Sequence, residues 1–69
     1  MNTVSKIKEI NDNYQDRLSE FEKNFIADNI ARIGKWGDDT RFSEKQVGLV
    51  DRIYKERVEE GRAPGAKGG

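Results

Sequence analysis

The chain reads as an all-α protein, a small three-helix antiparallel bundle with a glycine-rich C-terminal tail. Three observations predict that class. Apolar residues recur at three- and four-residue intervals through most of the sequence. Two boxes of the form Ser-x-x-Glu/Gln, Ser19 to Glu22 and Ser43 to Gln46, announce helix starts. Beyond Gly61 the run Arg62-Ala63-Pro64-Gly65-Ala66-Lys67-Gly68-Gly69 offers no large apolar side chain to repay ordering. Residues 1–61 are therefore expected to form one helical domain and residues 62–69 a flexible tail carrying two positive charges.

The first helix is expected near residues 3–15. Val4, Ile7, Ile10 and Tyr14 form a narrow stripe, Thr3 or Asn2 can cap it, and Asn11, Asp12 and Asn13 weaken its end. The second is expected near residues 19–36. Ser19 and Glu22 can satisfy each other's backbone N–H groups, and Leu18, Phe21, Phe25, Ile26, Ile30, Ile33 and Trp36 cover close to half the circumference. So wide an arc normally meets two neighbours. Gly34 or Gly37 should end this helix by taking a left-handed conformation. A polar connection with Asp38, Asp39 and Thr40 follows, short enough to make the last two helices neighbours.

The third helix is expected near residues 43–60. Its start carries both a capping box and a hydrophobic staple, Phe42 before the cap and Val47 after it. Val47, Leu49, Val50, Ile53, Tyr54 and Val58 form its apolar face, with Gly61 as the terminating residue. Gly48 inside it costs about 1 kcal/mol relative to alanine. Asp28 with Arg32 and Asp51 with Lys55 are spaced as favourable i, i+4 pairs.

Composition narrows the function classes. With 69 residues, no cysteine and no histidine, the chain has one small core, no disulfide or thiolate metal site, and none of the commonest general base. Its 13 basic and 13 acidic residues cancel, so no overall basic field marks a nucleic-acid binder. There is no membrane-length apolar run, no signal-peptide stretch and no glycine-rich phosphate loop. The expectation is a cytoplasmic, non-enzymatic protein with no cofactor and no catalytic or metal-ligating residues. Asp38 and Asp39 read as a solvated acidic turn. Asn11, Asn13, Gln15 and Glu22 imitate part of a calcium loop, but Asp16 stands where that loop needs glycine.

Candidate contact residues gather at the end of the second helix and the start of the third: Arg32, Lys35, Trp36, Arg41 and Lys45. An aromatic ring among cations can stack on a base or anchor a protein contact. The competing expectation is that Trp36 closes the core where the helices converge. Asp38 and Asp39 lie in the same cluster and partly cancel its charge. Asn29 falls near the middle of the apolar arc of the second helix, so it is a candidate buried polar residue whose amide needs a partner, a loop carbonyl being the expected one.

The segment Ser19-Glu20-Phe21-Glu22-Lys23-Asn24-Phe25-Ile26, followed by Phe42-Ser43-Glu44-Lys45-Gln46 and by Leu49 and Ile53, resembles the short helical modules of phage DNA-processing systems. It is most similar in pattern to the small helical phage proteins encoded beside the UvsW recombination helicase in T-even-type phages. The likeness spans roughly residues 1 to 60 and leaves the tail unmatched. It implies a helical accessory protein of phage replication, repair or recombination, located in the host cytoplasm, whose partner is a protein such as a DNA helicase or recombination factor. It carries no helicase activity, because the chain has no ATPase motif. Direct nucleic-acid binding through Trp36 and Arg41, and inhibition of a host protein, are the alternatives.

Overall fold

The computed structural model describes residues 2–61, so the expected tail, residues 62–69, lies outside the described residues. Three helices follow in order: α1, Thr3–Asn13; α2, Glu20–Trp36; and α3, Glu44–Ile53. No strand occurs among the described residues. The three helices form the small antiparallel bundle that the apolar spacing predicts.

Each helix begins where a side chain can take over an unpaired backbone N–H. Asn2 caps α1, its Oδ1 accepting from the Ser5 N–H at 2.8 Å. Both capping boxes form in full. Ser19 Oγ accepts from the Glu22 N–H at 3.2 Å while Glu22 Oε1 accepts from the Ser19 N–H at 2.9 Å. Ser43 and Gln46 repeat the arrangement at 3.2 and 2.9 Å.

Two helix ends differ from the expected boundaries. α1 stops at Asn13, and Gln15–Arg17 forms a separate 3-10 turn, which delivers Leu18 in extended conformation to the core. α3 keeps α geometry only to Ile53; Tyr54–Glu59 continues as a π-helical segment, with the Glu60 N–H donating to the Lys55 carbonyl at 2.9 Å. Gly37, at φ 61° and ψ −138°, ends α2 and opens a second 3-10 turn, Gly37–Asp39, while Gly34 stays within the helix.

Val4, Ile7 and Ile10 of α1 form one buried core with Leu18, Ile26, Ile33, Val50 and Ile53. Phe25, Ile30, Phe42, Leu49, Tyr54 and Val58 pack around this centre, partly buried. The close backbone approaches are made by α1, which lies against both α2 and α3. α2 and α3 make fewer close backbone approaches to each other than their short connection predicts, and their side chains meet in the core they share with α1. Burial of each core side chain contributes about 1.5–3 kcal/mol, and chain ordering consumes most of that.

Polar closures therefore matter. Glu22 and Arg57 form a two-point ion pair, with Arg57 Nε to Oε1 and Arg57 Nη2 to Oε2 both at 3.0 Å. Their side chains are only 13% and 12% exposed. Arg17 Nη1 donates to the Arg57 carbonyl at 3.0 Å, and its guanidinium lies 5.0 Å from the Tyr14 ring centre. Burial pushes the Glu22 carboxyl up, but the hydrogen bonds from Arg57 and the Ser19 N–H and the Arg57 charge outweigh it, so Glu22 titrates below its ordinary value. The same pairing raises Arg57. On the α1–α3 seam, Lys6 Nζ reaches Asp51 Oδ1 at 2.7 Å and the Tyr54 hydroxyl donates to Glu9 Oε1 at 3.1 Å. Partial burial and the Glu9 carboxylate push the Tyr54 phenol above its ordinary range. Asp51 thus pairs across helices with Lys6, where the sequence spacing suggested Lys55.

Candidate functional site

The candidate residues gather where α2 ends and the chain turns toward α3. Gly37 reverses the backbone there, and Thr40, buried, ties the turn down: its hydroxyl donates to the Gly37 carbonyl at 2.6 Å, and the Thr40 N–H donates to the same oxygen at 3.1 Å. Arg32 does the rest of the fastening. Its Nη2 donates to the Arg41 carbonyl, its Nη1 lies 3.4 Å from Asn29 Oδ1, and its guanidinium sits 5.5 Å from the Phe42 ring centre. These contacts hold the Arg41–Phe42 segment against the last turns of α2.

Asn29 is buried, at 2% exposure, as its place in the apolar arc predicts. Its Nδ2 donates at 2.8 Å to the Phe25 carbonyl one turn back in its own helix, where a loop carbonyl was expected. With Oδ1 facing Arg32, the amide uses both ends and leaves no orphan polar atom. Asn29 therefore helps to orient Arg32.

Trp36 does not close the core. It is 58% exposed, with Lys35 Nζ 5.3 Å from its ring centre. The reason is angular. α1 presents only a narrow stripe, which covers the Ile26–Ile33 side of α2 and leaves the flank carrying Trp36 unmet. Trp36, Arg32, Arg41 and Asp39 line an open depression of about 300 Å³. The structure thus brings together Arg32, Lys35, Trp36 and Arg41; Lys45 lies exposed in the first turn of α3 and does not line the depression.

Two further contributors were read in the sequence only as parts of the polar connection, Asp39 also as a charge opposing the cations. Asp39 supplies a carboxylate to the depression, and its signal was its place beside the cations. Thr40 sets the turn, and a threonine after two aspartates in a short connection is the composition that local hydroxyl-to-backbone bonds favour.

Chemically the depression offers an aromatic face, a guanidinium held in place by its own backbone contacts, and carboxylate and guanidinium groups on the rim. No group of three or more His, Cys, Asp or Glu able to hold a metal gathers among the described residues. Among those residues no helix is long and apolar enough to cross a membrane. Comparison with models of protein families, with curated proteins and with solved structures finds no match to this chain.

Proposed function

We propose that the protein is a non-enzymatic helical accessory module that docks on a protein of phage DNA replication, repair or recombination, a recombination helicase first among them. The observation that carries this reading is the exposed Trp36 beside a depression with both signs of charge. Tryptophan and arginine dominate the binding energy of protein contacts when they sit at a shaped surface. The phage setting rests on the resemblance of the Ser19–Ile26 and Phe42–Gln46 segments.

Direct nucleic-acid binding is the weaker reading. Arg32 is committed to the Arg41 carbonyl, Asn29 and Phe42, and Asp39 in the depression opposes phosphate. The test is a titration of a purified UvsW-type helicase with the labelled protein, run beside fluorescent single- and double-stranded DNA at two salt concentrations. Helicase binding should weaken at least about tenfold in Trp36→Ala, the loss expected of a central aromatic anchor. Circular dichroism should show the helices intact. Absence of helicase binding, together with salt-sensitive DNA binding that Arg41→Ala abolishes, would replace this function with nucleic-acid recognition.

A further inference from the structure

Two guanidinium groups and one carboxylate line the Trp36 depression. Among the described residues Arg32, Arg41 and Asp39 form no ion pair, although all three line the same depression. Asp28, spaced to pair with Arg32, does not do so. Arg32 donates instead to the Arg41 carbonyl and toward Asn29 Oδ1, both uncharged acceptors, so its positive charge stays uncompensated. The exposed Arg41 side chain makes no hydrogen bond among the described residues. Lys35 adds a third cation 5.3 Å from the indole centre. Against these stands Asp39; the exposed Asp38 does not line the depression.

The excess of positive charge calls for an anion, and a free guanidinium receives a carboxylate through two parallel hydrogen bonds. The indole face, 58% exposed, calls for an apolar group beside that anion. Asp39 calls for an N–H donor. A phosphodiester backbone brings only acceptors to it, whereas a peptide backbone brings N–H groups. At about 300 Å³ and open to solvent, the depression has room for a pair of side chains and does not enclose a metabolite.

We infer that the depression takes an acidic, apolar-containing peptide segment of a partner protein. Its Asp or Glu carboxylate meets Arg41 in the field of Arg32 and Lys35. A neighbouring large apolar side chain lies on Trp36, and a backbone N–H donates to Asp39. This inference rests on the reading of the Trp36 corner as a protein contact and names the chemistry of the segment it contacts.

Trp36 is the only tryptophan in the chain, so its emission reports on the depression without a label. The full chain is titrated with the peptide Asp-Asp-Phe-Asp-Phe, blocked at both ends, and with its Asn-for-Asp, Lys-for-Asp and Ala-for-Phe counterparts. The acidic peptide should shift the emission saturably, with a dissociation constant on the order of 0.1–1 mM. The Asn and Ala counterparts should bind at least about tenfold more weakly, as should the acidic peptide to Arg41→Ala. Arg41→Glu should reverse the preference toward the Lys peptide, with circular dichroism unchanged. No saturable response, equal binding of the Asp and Asn peptides, or an unreversed preference in Arg41→Glu overturns the inference. Free acetate matching the acidic peptide overturns it too, as does a short oligothymidylate that binds more tightly and is lost in Arg41→Ala. Peptide binding without helicase binding upholds the inference and removes the helicase as partner. Helicase binding that needs Trp36 but tolerates Arg41→Glu keeps the proposed function and overturns the inference.

Discussion

Replacing Arg57 by alanine should be among the most damaging changes outside the apolar core. The substitution removes two hydrogen bonds of 3.0 Å from a carboxylate that is only 13% exposed and leaves Glu22 with the Ser19 N–H alone. Exposed ion pairs contribute about 0–1 kcal/mol, and breaking a fully buried pair costs about 3–5 kcal/mol. This pair is mostly enclosed, so a loss of about 2–3 kcal/mol is expected between those limits. A core this small rarely leaves a net stability above about 3–5 kcal/mol, which puts Arg57→Ala close to unfolding. Glu22→Gln is milder, because the amide oxygen still accepts from Ser19. Urea titrations of far-UV ellipticity for both single variants and the double variant complete a cycle, with an expected coupling of about 1–2 kcal/mol. The pH dependence gives a second reading. The folded carboxyl titrates below its ordinary value of about 4.3, so the unfolded chain binds the proton more readily and stability rises with pH across that window. The contribution is complete above about 4.3 and is lost as pH falls through the lowered folded value; Glu22→Gln should flatten this acid limb. Additivity of the two substitutions within about 0.5 kcal/mol would refute the reasoning.

Gly48→Ala and Gly37→Ala should move stability in opposite directions. Neither Cβ would meet an atom within 4 Å, but Gly37 stands at φ 61° and Gly48 within α3. Alanine at 48 should add about 0.5–1 kcal/mol and at 37 remove about 1–3 kcal/mol, read as shifts in urea midpoint. Asn29→Ala and Asn29→Asp both remove the donor to the Phe25 carbonyl, so both should lower the urea midpoint; an unchanged midpoint in either would mean that the amide does not work through its donor.

Local chemistry was the legible part of this fold. Ser19 with Glu22, and Ser43 with Gln46, need only neighbours three residues away, and both boxes form as their spacing predicts. Gly37 and the burial of Asn29 were readable for the same reason, from turn chemistry and the helical wheel. The Glu22–Arg57 pair joins residues 35 positions apart, and no local pattern selects that partner for Glu22. Trp36 lies within the apolar arc by spacing, yet its exposure depends on how much of α2 the narrower α1 covers, a property of the assembled bundle. Arg32 and Arg41 look equivalent in sequence. The structure separates them: Arg32 fastens the turn, while the exposed Arg41 side chain lines the depression.

The π-helical segment Tyr54–Glu59 has a consequence for the phase of the C-terminal end. In α geometry the residue stacked under buried Ile53 is Arg57, four positions on, and Val58 drifts outward. Closing the backbone over five positions, as the Glu60 N–H does to the Lys55 carbonyl, slows the angular advance per residue. Arg57 and Val58 then flank the inward direction from its two sides, one meeting the Glu22 carboxylate and the other the edge of the core. The segment behaves as a one-residue insertion absorbed without breaking the helix. Its width lets a charge and an apolar side chain at adjacent positions both reach the packed side of the helix.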